Sequence, residues 1–113
     1  MATAHRATHA SSGIEFDWDE FNIAHIAMHN VTPQEAEEAA TFKPVALYAT
    51  LRNGEERFVQ IGETYAGRIL LVVTAPRNGK TRVITAHDVD LSRRRSYALR
   101  RDVQYRDREE SSS

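Results

Sequence analysis

The chain contains no cysteine. Disulfides and thiolate–metal sites are therefore excluded, and redox conditions place no constraint on the compartment. Proline and glycine are scarce, three and five in 113 residues. Because these residues punctuate chain direction, their few positions mark most of the expected turns. No apolar run approaches the roughly 20 residues that a membrane-crossing helix needs. Met1–Gly13 lacks the apolar middle of a secretion signal, so the expected compartment is the cytoplasm. The sequence also has no GxSxG elbow, phosphate-binding glycine loop, HExxH or CxxC, which removes the serine hydrolases, nucleotide-binding folds and common zinc sites signalled by those motifs.

What the chain does have is charge, divided unevenly. Residues 1–56 carry three basic and nine acidic side chains, and residues 57–113 carry twelve basic and seven acidic ones. Thirteen of the fifteen basic residues are arginine, the side chain suited to bidentate contact with phosphate or carboxylate. A net charge of −1 argues against a general nucleic-acid binder, so any such surface has to be local.

Periodicity and caps predict one domain over 14–103, with 1–13 and 104–113 as tails of small or charged residues. Ile14–Phe16 is a short candidate strand. Asp17, with Glu20 three residues on, is the expected cap of a helix to about His29, and Thr32-Pro33-Gln34-Glu35 starts a second that stops near Thr41. Strands then follow at 45–50, 57–63, 68–75 and 81–87, with Asn53-Gly54 and Asn78-Gly79 as hairpin turns. Arg68–Ala75 is apolar almost throughout and should lie inside the sheet. Ser92 caps a last helix to about Val103. The expected fold is α+β: two N-terminal helices, a four-stranded antiparallel meander with helices on one face, and a C-terminal helix.

Two groups of residues are chemically suggestive. On the first helix Trp18, His25 and His29 share a narrow face, and histidines at i and i+4 can share one metal ion; Asp88 and Asp90 are the candidate further ligands. A hydrogen-bonded structural histidine is the competing reading. In the last helix Arg93, Arg94 and Arg95 occupy the first turn, where the helix dipole opposes cations, and Arg100 and Arg101 continue the basic face. That placement points to an anionic partner, either RNA phosphates or acidic protein side chains.

Phe16-Asp17-Trp18-Asp19-Glu20, Asn22, His25-Ile26, His29 and Val31-Thr32-Pro33-Gln34-Glu35-Ala36-Glu37-Glu38 are similar to the opening of BrnT-type toxins. Glu55-Glu56-Arg57-Phe58, Gly67-Arg68-Ile69-Leu70-Leu71-Val72-Val73 and Arg82-Val83-Ile84-Thr85-Ala86 resemble that family's later segments in the same order. The resemblance spans about residues 14–101. It implies a RelE-like fold and metal-independent RNA cleavage by the RNA's own 2′-hydroxyl, without a cofactor. It also implies neutralisation by an antitoxin, of ribbon-helix-helix type, that alone contacts DNA. By position it gives Arg57 and Arg82 as phosphate ligands and His29 as acid or base. Trp18 becomes a candidate for stacking a base, and the arginines at 93–95, 100 and 101 for gripping RNA or antitoxin. Three positions depart from the family pattern: Met28 replaces a cation, Asn30 a glycine and His87 an arginine. His87 is the candidate substitute at its position. Strict strand alternation would, however, put Arg82 and His87 on opposite faces. Two other readings stand beside the ribonuclease: a catalytically silent binding domain of the same family, and a metal-binding domain using His25 and His29.

Overall fold

The computed structural model describes residues 13–112, with side chains to Arg106; residues 1–12, and with them most of the expected N-terminal tail, lie outside the described residues. The order is β1 (Phe16–Asp17), α1 (Glu20–Ala27), α2 (Pro33–Thr41), β2 (Val45–Arg52), β3 (Glu55–Glu63), β4 (Ile69–Arg77), β5 (Lys80–Asp88) and α3 (Leu91–Ser112). Strands β2 to β5 form the expected antiparallel meander. The sheet nonetheless has five strands in the order β1-β5-β4-β3-β2, because β1 adds to the edge of β5 in parallel. Thr81 N–H donates to Glu15 C=O there, satisfying part of an edge left open by the meander.

The helices also differ from expectation in how they start. The cap of α1 is Asp19 rather than Asp17: its carboxylate accepts from Phe21 and Asn22 N–H, while Asn22 Oδ1 accepts from Asp19 N–H. Asp17 is a strand residue. Helix α2 starts as predicted, with Thr32 and Glu35 exchanging hydrogen bonds and Pro33 at the first helical position. Helix α3 is capped by Asp90, whose side chain accepts from Arg93 N–H at 2.8 Å, so Ser92 lies inside the helix. The helix continues past Val103, because Gln104 and Tyr105 both donate to Pro44 C=O (3.3 and 2.6 Å) and tie the next turn to the domain. Residues 104–112 are therefore helical where a tail was expected.

Strand β4 explains the layering. Leu70 and Val72 point to one face, where they meet Val83, Ala86 and the buried side chains of β1, α1 and α2: Phe16, Trp18, Ile26, Ala36 and Ala39. Leu71 lies on the opposite face with Val45, Val59, Ile61, Val89 and Tyr97, with Ile69 and Val73 packed against this group. Helices thus cover both faces, not one. An unbroken apolar strand requires this, since each exposed alternate residue would forfeit roughly 1.5–3 kcal/mol of burial.

The alanines of α2 let it lie directly on the sheet. A Cβ at Gly62 would overlap the carbonyl of Ala39, so the closeness of α2 depends on that glycine. Gly62→Ala should destabilise the domain by about 3 kcal/mol or more, because the obstructing atoms are backbone. A melting temperature equal to wild type would show that α2 can move away freely.

Candidate active site

Register decides which candidates can act together. Along the β4–β5 ladder Val73 pairs with Thr85 and Thr74 with Val83, leaving Ile84 as an extra residue. This bulge cancels the odd spacing between Arg82 and His87 and places both on the α3 side of the sheet. Leu71, opposite His87, and Ala75, opposite Arg82, belong to that same face. On the other side of β4, Phe58 pairs with Thr74. The same ladder one residue further puts Arg57, Ala75 and Arg82 in a transverse row. The two arginine Cα atoms are then separated by two strand spacings, about 10 Å.

The two guanidinium groups differ in freedom. Among the described residues Arg57 reaches only Glu55, an exposed neighbour on its own strand, at 3.2 Å. Arg82 is 14 % exposed and lies across Asp19 in a two-point contact, Nη2 to Oδ1 at 3.1 Å and Nη1 to Oδ2 at 3.0 Å, with Asp17 at 3.6 Å. The Nη1 contact is an ion pair without good hydrogen-bond direction. The Arg82 guanidinium, helped by the capping N–H groups, holds the Asp19 carboxyl below its ordinary range against the opposing effect of burial.

The histidines form a second group. The ring centroids of His29 and His87 are 5.6 Å apart, and those of His25 and His29 5.9 Å. His87 Nδ1 lies 2.8 Å from Asp88 C=O. A carbonyl only accepts, so Nδ1 carries the proton and neutral His87 presents Nε2 as a base. Arg68 fixes the surroundings by donating to His29 C=O, Asn30 C=O, Glu35 and Asp88. The Asp88 carboxyl is lowered chiefly by Arg68, with a smaller contribution from Arg94. From Arg82 to His87 the backbone runs four ladder steps, about 13 Å. The four predicted catalytic residues therefore form two pairs, Arg57 with Arg82 and His29 with His87. Among the described residues no group of three or more His, Asp or Glu side chains is placed to hold a metal ion, so His25 and His29 gain no third ligand from the fold.

Two other candidates have structural duties. Trp18 is buried and its Nε1 donates to Glu37 at 2.7 Å, leaving no ring face for a base. Arg101 pairs with Glu63 and Asp102 and lies over the Tyr97 ring. Arg100 donates to Ala46 C=O, and with Arg93 it borders a surface cavity of about 280 Å³ beside Tyr48. Arg93, Arg94 and Arg95 are exposed.

The sequence reading missed Arg52, Arg77 and Lys80. Arg52 pairs with Glu55 and Arg77 with Lys80 across the two hairpin turns, on the same face as Arg57 and Arg82. The signal was present as a repeated Arg-Asn-Gly at both turns, 52–54 and 77–79.

A family model described as ribonuclease toxin, BrnT, of type II toxin–antitoxin systems matches residues 18–92. The chain belongs to that family. None of the curated proteins matches it in sequence. As a BrnT-family member it is the ribonuclease toxin of a two-component module, with an antitoxin as its partner. The matched segment includes both residue pairs and the start of α3, and stops before most of that helix. Among the described residues no helix is long and apolar enough to cross a membrane.

Two carboxyl groups, Asp19 and Asp88, are held down by arginine in this BrnT-family fold. A carboxyl lowered by folding stabilises above its ordinary value, about 3.9, and ceases to do so as pH falls through the lowered value. Thermal melts should therefore lose stability progressively below about pH 4. Asp19→Asn should melt lower than wild type at pH 6 and lose less on acidification.

Proposed function

We propose that single-stranded RNA lies on the α3 side of the sheet, with its phosphates spaced between the arginine row and the histidine pair. The observation carrying this reading is the bulge at Ile84, which gives Arg82 and His87 one common face, the face Arg57 takes by alternation with Val59 and Ile61. In the reaction, the RNA 2′-oxygen attacks the adjacent phosphorus and the bond to the 5′-oxygen breaks, leaving a 2′,3′-cyclic phosphate and a free 5′-hydroxyl. One group must accept the 2′-OH proton and another must protonate the departing oxygen. Nε2 of neutral His87 suits the first task, and protonated His29 beside it the second. Arg68, which donates to His29 C=O and to Asp88, is the cation at that pair, and Arg94 adds to it through Asp88. Arg57 exchanges its weak Glu55 contact for a flanking phosphate, and Arg52, Arg77 and Lys80 extend the track. Arg82 positions the row through Asp19 and keeps the edge of the sheet closed. No step requires a metal. The expected setting is the cytoplasm, and the antitoxin, expected to be of ribbon-helix-helix type, carries any DNA contact.

A specific observation favours a second reading, a silent domain that only binds its antitoxin: Arg82 is already spent on two carboxylates, and Met28 leaves a family cation position empty of charge. The two readings part in one assay. Purified chain with RNA and a chelator should yield cyclic-phosphate ends, with a bell-shaped dependence of rate on pH. His87→Gln should lower the rate by about 100-fold, Arg57→Ala by about tenfold or more, and neither should change the melting temperature. Arg82→Ala should instead melt lower, because two carboxylates lose their cation. Absence of cleavage by folded wild type would establish the silent domain.

A further inference from the structure

Helix α3 has two sides, and the sheet accounts for one. Tyr97 is 1 % exposed, with its hydroxyl within hydrogen-bond distance of Lys43 C=O and Glu63. Arg101, Gln104 and Tyr105 also reach back to the domain. The opposite side carries Leu91, Leu99 and Val103, which are 55, 69 and 60 % exposed. Spaced by fours, with Arg95 between the leucines, they form one continuous ridge along the helix. A helix that merely covers a sheet presents polar residues to water. Here Leu99 and Val103 point away from the sheet, and nothing among the described residues lies over them.

The charges around the ridge define what fits it. Arg95 is in the ridge, Arg106 follows Val103 by one turn, and Arg100 borders it; all three are exposed. Asp102, the acidic side chain among them, is turned to Arg101 at 3.0 Å. A second copy of this chain would bring Arg95, Arg100 and Arg106 against like charges, which disfavours self-association. Phosphates would be served by the arginines but not by a row of aliphatic groups. A partner helix with its own apolar ridge and acidic flanks satisfies both features, because ridges of one helix pack into the grooves of another.

We propose that the Leu91–Leu99–Val103 ridge is the surface on which an acidic amphipathic helix of the antitoxin docks. This rests on the chain being the toxin of a two-component module. The ridge faces away from the sheet residues proposed to hold RNA, so antitoxin binding and RNA cleavage are separable by substitution. The probe is the purified product of the reading frame adjoining this chain's gene, titrated against full-length chain at about 150 mM salt and again at threefold higher salt. Leu99→Gln combined with Val103→Gln preserves helix-forming residues while removing the apolar contact. That variant should bind about tenfold or more weakly, and Arg95→Glu with Arg106→Glu should bind weakly at both salt concentrations. The glutamine variant should cleave RNA within about twofold of wild type, and both variants should melt at the wild-type temperature.

Equal binding by the glutamine variant and wild type would overturn the assignment while leaving the ribonuclease reading intact. A wild-type chain that cleaves RNA but does not bind the probe would overturn it as well. One that neither cleaves nor binds would instead remove the toxin reading beneath it. Sedimentation of the isolated chain as a dimer that the glutamine variant dissociates would assign the ridge to a second copy, and so overturn the proposal.

Discussion

Arg82 joins three elements through one guanidinium. It extends from β5 to Asp17 on the edge strand β1 and to Asp19 at the cap of α1. Asn22, the third residue of that cap motif, completes the junction by donating to Asp17 C=O and Val83 C=O. The start of α1 is thereby fixed to the strand that carries His87, and the turn after α1 brings His29 to the same strand. A contact of this kind is costly to break from one side, because the remaining charges are left without partners. The domain's stability and the placement of its histidine pair therefore draw on one residue. A phosphate-binding role for Arg82 would compete with that duty, which leaves Arg57 as the arginine of the row free to change partner.

Local features were legible before the fold was. The Thr32-Pro33-Glu35 helix start, both Asn-Gly turns and the interior position of β4 followed from cap chemistry, turn chemistry and an unbroken apolar run. The φ values of Asn53 and Asn78, +52° and +54°, are those a two-residue hairpin of this type demands. What escaped involved residues far apart in sequence. Nothing near Phe16 indicates that it pairs in parallel with Thr81, and nothing near Ile84 indicates an extra residue in the ladder. Because the side-chain period of a strand is two, that one residue reverses which side His87 takes relative to Arg82. The candidate residues could be listed one by one from the sequence, but their arrangement depended on an irregularity without a local signature. Helices on both faces, where one was expected, are what β4 requires: a strand apolar on both sides needs two covers.

The three departures from the family pattern are not equivalent. Asn30 has φ +59°, in the left-handed region where glycine is favoured and asparagine is the best-tolerated side chain. Replacing glycine there preserves the backbone that ends α1 and positions His29. Met28 is 77 % exposed and supplies no charge, so it is a loss without a visible replacement. His87 lies between. It exchanges a permanent cation for an imidazole, and its Nδ1 contact with Asp88 C=O leaves Nε2 as the ring nitrogen not engaged there. The substitution changes the chemistry available at the position instead of only weakening it.

The uneven division of charge along the chain acquires a meaning once the chain is folded. The acidic first half supplies Asp17, Asp19 and Glu35, and the basic second half supplies Arg77, Arg82 and Arg68 to meet them. Much of the asymmetry is therefore internal pairing and not a field offered to a partner. Arginines of the sheet interior and of the inner side of α3 are taken up in this way or by Glu63. Among the described residues, the cations left facing water include those of the hairpin turns, Arg52 and Lys80, and those at the start and along the outside of α3. Sequence alone weights Arg94, Arg100 and Arg101 equally; the fold separates them by the direction each takes from its helix. A net charge near zero is compatible with an RNA-cleaving toxin on these terms, because what an anionic partner meets is the remainder after the chain has neutralised itself.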